Sequence, residues 1–175
     1  MDVDLRRVTA DDWTLLRDVR LRALAEAPDA FGTTLAQAHE LGHDEWRSRA
    51  GNNGGCTLVA VDRDGRGLAM GGAFAPDDRP TVFVWGMWTD PAARGHGLGA
   101  RLLDALVAWC RADGRYAEVR LHVTEGNDAA RRLYVRSGFE PTGTWEPLRE
   151  GSPLRIEELR LPLSQDADPA AQRGG

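Results

Sequence analysis

The most informative segment of the chain is Met87-Trp88-Thr89-Asp90-Pro91-Ala92-Ala93-Arg94-Gly95-His96-Gly97-Leu98-Gly99, which joins an apolar run to a helical pattern. Thr81 to Thr89 is rich in Val, Phe and Trp and predicts a buried strand. Leucines recur at helical spacing from Gly97 to Asp113. Glycines allow close backbone approach to an anion, and a helix N-terminus offers unpaired N–H groups. The segment therefore predicts a phosphate-binding loop, to which Arg94 adds a suitable charge.

Two common phosphate-binding motifs fit this segment poorly. A P-loop requires Lys and then Ser or Thr after its last glycine, and Ala100-Arg101 stands there instead. Gly95, Gly97 and Ala100 have the spacing of a dinucleotide fingerprint, but that motif follows its strand directly within a parallel βαβ unit. Here Asp90 to Ala93 intervenes, and the preceding strands are predicted to form antiparallel hairpins. A Rossmann-type nucleotide-binding protein stays open as a weaker alternative.

The rest of the chain predicts one α/β domain over residues 1–163. Helices are predicted from Trp13 to Pro28, across Thr34 to Arg49, and from a cap at Asn127 through Ser137. Further strands are predicted at Asp4 to Val8, Cys56 to Val61, Leu68 to Phe74, Glu118 to Val123, Phe139 to Trp145 and Leu154 to Leu163. The apolar positions of the last strand change parity, which predicts a bulge near Glu157-Glu158. Residues 164–175 are predicted to be a disordered tail.

Composition argues against several classes of function. The 175 residues carry a formal net charge of -5 without a basic stripe, so binding to nucleic acid is not expected. No apolar run is long enough to cross a membrane and no secretory segment opens the chain, so we expect a cytoplasmic protein. Cys56 and Cys110 lie in apolar surroundings without further ligands nearby, and are predicted to be reduced core thiols rather than a metal site.

A second group of residues lies downstream on one predicted helix. Asn127 and Tyr134 are seven positions apart, so their side chains point the same way. An N-cap and a buried tyrosine would explain the pair equally well. The helix pattern by itself assigns no function to these two residues.

Together these motifs resemble the GNAT superfamily of acetyl-CoA-dependent N-acetyltransferases. Residues 87–99 look like its R-x-x-G-x-G/A cofactor loop after the fourth strand, and Leu121 to Val123, Asn127, Tyr134 and Gly138-Phe139 resemble its second motif. The two occur in the order and at the separation usual for the family. The resemblance implies a GNAT-like α/β (α+β) fold: a mixed, largely antiparallel seven-stranded sheet with flanking helices, splayed between its fourth and fifth strands.

The resemblance also implies roles for individual residues. The cofactor-binding positions would be Met87, Trp88, Thr89, Arg94, Gly95, His96, Gly97, Leu98, Gly99 and Asn127. The loop would hold the CoA pyrophosphate, and Met87 to Thr89 would pair with the pantetheine arm. The Met87 N–H would polarise the thioester carbonyl, and Tyr134 would protonate the departing thiolate.

The chain departs from the family pattern where many relatives carry a glutamate on the fourth strand, because Trp85 stands there. The ammonium proton would then leave through His122 or through an ordered water; residues 39–45 offer further candidates. Phe31, Trp46 and Trp85 are predicted to contact the acceptor. We expect a monomer or homodimer that transfers acetyl to a primary amine of a small molecule or a peptide. The alternative is a CoA-binding or acyl-CoA-binding sensor without turnover.

Overall fold

The computed structural model describes residues 2–52, 54–76 and 79–163. Its strands are β1 (Asp4–Arg7), β2 (Cys56–Val61), β3 (Gly67–Phe74), β4 (Thr81–Thr89), β5 (Glu118–Thr124), β6 (Glu140–Pro147) and β7 (Arg155–Pro162). Its α-helices are α1 (Trp13–Glu26), α2 (Leu35–His39), α3 (His43–Gly51), α4 (Leu98–Asp113) and α5 (Asp128–Arg136). The predicted segment from Thr34 to Arg49 is thus two helices, which Gly42 separates in an extended conformation. The predicted tail, 164–175, lies outside the described residues.

The strands form one sheet in the order β1-β2-β3-β4-β5-β7-β6. All neighbouring strands are antiparallel except β4 and β5, which run parallel. That pair is hydrogen-bonded only from Thr81–Phe83 to Glu118–Arg120, and the two strands separate beyond it. The predicted mixed seven-stranded sheet, splayed between its fourth and fifth strands, is confirmed.

Helices cover both faces of the sheet and give the domain two apolar cores. Leu58 and Ala60 of β2 pack in the cluster that includes the α4 leucines, whereas Val59 and Val61 pack with α1. Strand alternation explains this division, because successive side chains point to opposite faces. β2 is buried on both faces along its whole length, and all its residues except Thr57 are apolar.

The sheet has three register shifts, in the pairs β2–β3, β3–β4 and β6–β7. The shift between β6 and β7 lies at Glu158, where the sequence predicts a bulge, but the extra residues are in β6 rather than in β7. Glu157 and Glu158 themselves pair regularly with Val123 and His122 of β5. Both faces of β7 are buried at this point, because Glu157 and Glu158 each bond a polar partner instead of facing solvent. The apolar residues of the strand can therefore change from even to odd positions without a bulge in β7. The register shift occurs in the facing strand β6, between Pro141 and Trp145, where Gly143 has a φ of 86°.

Local hydrogen bonds close one end of each of two helices. Asp12 accepts hydrogen bonds from Thr9 N and Oγ1 ahead of α1. The Phe139 N–H donates to the Tyr134 carbonyl after Gly138 at a φ of 91°, which is a Schellman arrangement at the end of α5. Within the described ranges, the helices are all too short or too polar to span a membrane. The cytoplasmic location stays a prediction.

Candidate functional site

The separation of β4 from β5 opens a slot in the sheet. Val84 to Met87 line it from β4, Leu121 to Thr124 from β5, and Asn127, Ala130 and Tyr134 from α5. Its volume is only about 50 Å³, which suits a thin, extended group. The unpaired edges of the two strands also offer backbone hydrogen-bonding groups to such a group.

The glycine loop stands at the start of α4, close to this slot. Gly95 and Gly97 have φ values of 80° and 74°, and a Cβ added to either would meet no atom within 4 Å. The first α-helical bond runs from Arg101 N to the Gly97 carbonyl, so the N–H groups of residues 98–100 have no intrahelical acceptor. The uncovered glycine backbone, the free N–H groups at the start of α4 and the dipole of that helix together form a surface that can bind an anion.

Gly99 has a different structural role from Gly95 and Gly97. A Cβ there would lie 3.2 Å from Leu133 Cδ2, so the missing side chain lets α5 approach the start of α4. Ala130, about one turn before Leu133, and Tyr134, directly after it, both line the slot. The glycine loop and the slot are therefore adjacent parts of one site.

Arg94 ties the loop to α1. Its Nη2 donates to Glu26 Oε2 at 2.7 Å and its Nε to the Thr89 carbonyl at 3.1 Å. The same Glu26 oxygen accepts from Trp88 Nε1 at 3.0 Å. About half of the Arg94 side chain is exposed, so the guanidinium keeps a free edge. Its predicted contact with a phosphate stays a prediction, and sequence reasoning missed its partner Glu26.

Hydrogen bonds of Asp90 hold the start of the glycine loop in place. Its buried carboxylate accepts from Arg22 and Arg66, both at 3.0 Å, and from the Ala92 N–H at 3.0 Å. The Asp90 N–H donates to the Leu68 carbonyl of β3. A loop held at both main chain and side chain presents its glycines in a defined position.

A β-bulge in β4 lies where the strand borders the slot. Trp85 pairs with Gly72 and Trp88 with Met70, so Gly86 and Met87 together face the single residue Gly71. Gly86 has a φ of 67°, which favours glycine, and the bulge bends the strand at this point. Sequence reasoning missed the bulge, although it noted every residue around it except Gly86.

The second motif is assembled on α5. The Asn127 Oδ1 caps the helix by accepting from the Ala130 N–H at 3.3 Å, and Asn127 also borders the slot. Tyr134 is buried, and its ring lies 6.2 Å from that of Phe139. Burial raises the pKa of the Tyr134 phenol above its ordinary value near 10. The hydroxyl therefore stays protonated at neutral pH and is available as a donor.

A larger cavity adjoins the slot on the α1 side of the sheet. Its volume is about 750 Å³, and the predicted acceptor contacts Phe31, Trp46 and Trp85 all line it. Phe31, Val84 to Gly86, His122 and Thr124 border both spaces, so the cavity lies directly beside the slot. The structure thus brings the predicted acceptor residues together with Met87 and Tyr134.

His122 lies where the cavity meets the slot. Its Nε2 is 3.7 Å from Glu158 Oε2 on the neighbouring strand, and its ring stacks on Phe83. Glu158 Oε1 accepts from Thr142 and Arg120, which leaves Oε2 toward the histidine. Of the further candidates in 39–45, Glu40 and Glu45 line a separate pocket, and His43 and Asp44 are exposed and paired with each other.

Both cysteines are buried and free. Burial raises the pKa of the Cys110 thiol to about 12, and burial likewise raises that of Cys56. A thiol is nucleophilic only as its thiolate, so neither cysteine is suited to covalent catalysis.

Two residues that sequence reasoning missed have a recognisable signal. Arg20 falls in phase with the buried Leu16, Val19 and Ala23 of α1 and lines the large cavity. An arginine on the apolar stripe of a helix is unusual enough to mark a site. Glu158 offered a weaker signal, as one of two adjacent acids between Ile156 and Leu159.

Comparison with known proteins agrees with this geometry. The model of the acetyltransferase (GNAT) family matches residues 20–139. A mycothiol acetyltransferase of Mycolicibacterium gilvum is 35% identical over 141 residues, which are 77% of this chain and 44% of that protein. An L-2,4-diaminobutyric acid acetyltransferase of Streptomyces anulatus is 40% identical over 80 residues, 45% of this chain and 46% of the relative. The chain therefore matches less than half the length of each.

A solved structure supports the same fold. A GNAT superfamily phosphinothricin acetyltransferase from Sinorhizobium meliloti, in complex with acetyl-CoA, superposes with a TM-score of 0.76 at 22% identity. The match covers 98% of this chain and 95% of that one. At this identity the likeness concerns the fold alone.

Proposed function

The chain belongs to the acetyltransferase (GNAT) family, and on that basis we propose that it transfers the acetyl group of acetyl-CoA directly to a primary amine. The observation that carries the proposal is that the cavity lies beside the slot and shares lining residues with it. An acceptor in the cavity could reach a thioester in the slot, beside Met87 and Tyr134. A small molecule or a peptide amine would serve as acceptor.

The residues of the slot and loop fit acetyl-CoA. The backbone of Gly95 to Gly99 would hold the pyrophosphate, because its glycines leave open space and α4 presents free N–H groups. The edge of β4 from Met87 to Thr89 would pair with the pantetheine arm as an added strand. Asn127 would bond the same arm through its amide. Bound there, acetyl-CoA supplies an activated acyl group.

Three protein groups would act on the reacting atoms. The Met87 N–H would stabilise negative charge on the thioester oxygen. The Tyr134 hydroxyl would donate its proton toward the departing sulfur. His122, whose Nε2 lies 3.7 Å from Glu158 Oε2, would accept the proton that the substrate ammonium must lose before it attacks. The raised thiol pKa values support direct transfer without an acetyl-cysteine.

Both the diaminobutyric acid enzyme and the mycothiol enzyme are named as acetyltransferases. Their names favour turnover over the alternative of a binding-only sensor. The test is acetyl transfer from acetyl-CoA to a panel that includes 2,4-diaminobutyrate, other amino acids, diamines and peptide N-termini. Product should form with at least one class. Tight CoA binding without product from any amine would favour the sensor instead.

CoA and acetyl-CoA are expected to raise the melting temperature by several degrees. A ligand present at a hundred times its Kd stabilises the native state by about 2.7 kcal/mol, and each kcal/mol shifts Tm by roughly 2–4 °C at this size. Differential scanning fluorimetry measures the shift, with NAD as the control. A rise with NAD but not with CoA would contradict the assignment of the loop.

Gly97→Asp is expected to weaken CoA binding at least tenfold, because a carboxylate beside the loop repels the pyrophosphate. Gly97→Asn is the matched control: it has the same shape, tolerates the left-handed conformation similarly and adds no charge. Titration calorimetry compares the two. If Gly97→Asn and Gly97→Asp weaken CoA binding equally, backbone strain explains the loss of affinity, and charge at an anion site does not.

A further inference from the structure

The buried side-chain polar atoms that lack a hydrogen-bond partner share one location. Among the described residues they are Arg20 Nη1, Trp46 Nε1 and Thr124 Oγ1. All three residues line the 750 Å³ cavity. Because native proteins leave few buried polar groups unpaired, three around one cavity require an explanation. Arg and Trp can only donate, so a ligand that satisfies them must bring acceptor atoms.

Arg20 is the strongest of these features. Its guanidinium lies 4.5 Å from the centre of the Phe31 ring and 5.8 Å from that of Trp85. The described residues provide no carboxylate within 4 Å of it. Burial, followed by the nearby charge of Arg49, lowers the pKa of Arg20 to about 10. The group is still charged at neutral pH, and a buried charge without a partner is costly.

The charges that line the cavity have one sign. The titratable side chains among its described lining residues are Arg20, Arg49 and His122, with no Asp or Glu. Glu40 and Glu45 border a neighbouring pocket that Arg49 also lines. A cavity built for a plain polyamine would be expected to offer carboxylates instead.

We infer that the acceptor amine also carries a carboxylate, which binds to Arg20 with support from Arg49. The inference rests on the proposed acetyltransferase function and specifies its substrate class. Arg20 Nη1 lies 3.4 Å from where a Cβ on Gly86 would stand, one residue before Met87. The carboxylate would thus bind close to the reacting end of the cavity. That placement favours an acceptor whose amine and carboxylate are a few bonds apart, as in an amino acid.

The first test uses the unaltered protein and two acceptors that differ only in the carboxylate, 2,4-diaminobutyrate and 1,3-diaminopropane. We expect kcat/KM to favour the carboxylate by about tenfold or more, since a charge-assisted pair is among the stronger hydrogen bonds. An α-amino acid should likewise be preferred to its amide. Equal kcat/KM values within both pairs would overturn the inference.

The second test changes the guanidinium. Arg20→Met should raise KM for 2,4-diaminobutyrate and bring its preference over the diamine toward unity, and Arg20→Lys should keep part of that preference. Arg17→Met, on the exposed face of the same helix, is the matched control. An unchanged preference in Arg20→Met, as expected if ordered water satisfies Arg20, would overturn the inference. If Arg20→Met does not fold, the acceptor pairs with the unaltered protein still decide.

The experiments distinguish failure of the carboxylate inference from failure of the proposed acetyltransferase function. If amines are acetylated without regard to the carboxylate, the inference is wrong and the acetyltransferase function stands. If CoA raises the melting temperature but no amine of either kind yields product, the proposed function is wrong and the inference fails with it.

Discussion

Replacing Tyr134 by phenylalanine is expected to lower turnover by about a hundredfold or more while changing the Michaelis constant for acetyl-CoA little. The ring is buried against Phe139, and phenylalanine preserves that packing, so only the hydroxyl is lost. That hydroxyl borders the slot, where negative charge would form on sulfur late in the reaction. Because burial raises the pKa of the phenol, the parent enzyme should keep its donor well into alkaline pH. Steady-state and single-turnover kinetics measure the loss.

Tyr116→Phe provides the control for this variant. Tyr116 is also buried and packs beside Trp109, but it does not border the slot. Both variants should fold and bind CoA, and only Tyr134→Phe should lose turnover. If the single-turnover rate of Tyr134→Phe equals that of the parent, Tyr134 contributes only to packing and is not the proton donor.

The glycine loop could be predicted because its chemistry is local. Backbone that approaches an anion needs glycine, and the strand and helix on either side reveal themselves through their periodicity. The Schellman end of α5 is equally local, since Gly138 and Phe139 are adjacent in the chain. In each case the interacting groups are only a few residues apart in sequence.

The missed features depend on residues far apart in sequence. Glu26 and Arg94 meet only because α1 packs beside the end of β4, and nothing around Glu26 indicates this contact. The β4 bulge depends on the register with β3, which the apolar pattern does not determine. The irregularity at Glu158 has the same origin, because the extra residues lie in β6, and the partners of Glu158 come from β5 and β6.

The sheet therefore does more than support the two motifs. Because β4 and β5 pair for only three residues each, the opening between them forms the slot directly beside the large cavity. The residues that border both spaces come from a loop and two strands, and they include Phe31, Gly86, His122 and Thr124. In the proposed reaction, a change in any of them would alter how acceptor and thioester meet, without touching the glycine loop.

Replacing His122 by glutamine is expected to reduce turnover about a hundredfold near neutral pH, since loss of a general base costs at least that much. In the parent, turnover should fall as acid protonates the imidazole, because a protonated ring cannot accept the ammonium proton. Glutamine cannot titrate, so the variant should lose this acid limb while its affinity for acetyl-CoA stays the same. Glu158→Gln should lower turnover less than His122→Gln does, because Glu158 Oε2 only lies near the ring, at 3.7 Å from Nε2.

The control for this experiment is His43→Gln, an exposed histidine on α3 that borders neither the cavity nor the slot. Turnover against pH is measured for all variants with one acceptor, so that ionisation of the amine contributes equally to each profile. If His122→Gln keeps the full acid limb of the parent, the limb belongs to the amine, and an ordered water must carry the proton away. The geometry favours the histidine, because Glu158 directs an otherwise free carboxylate oxygen toward a ring at the junction of the two spaces.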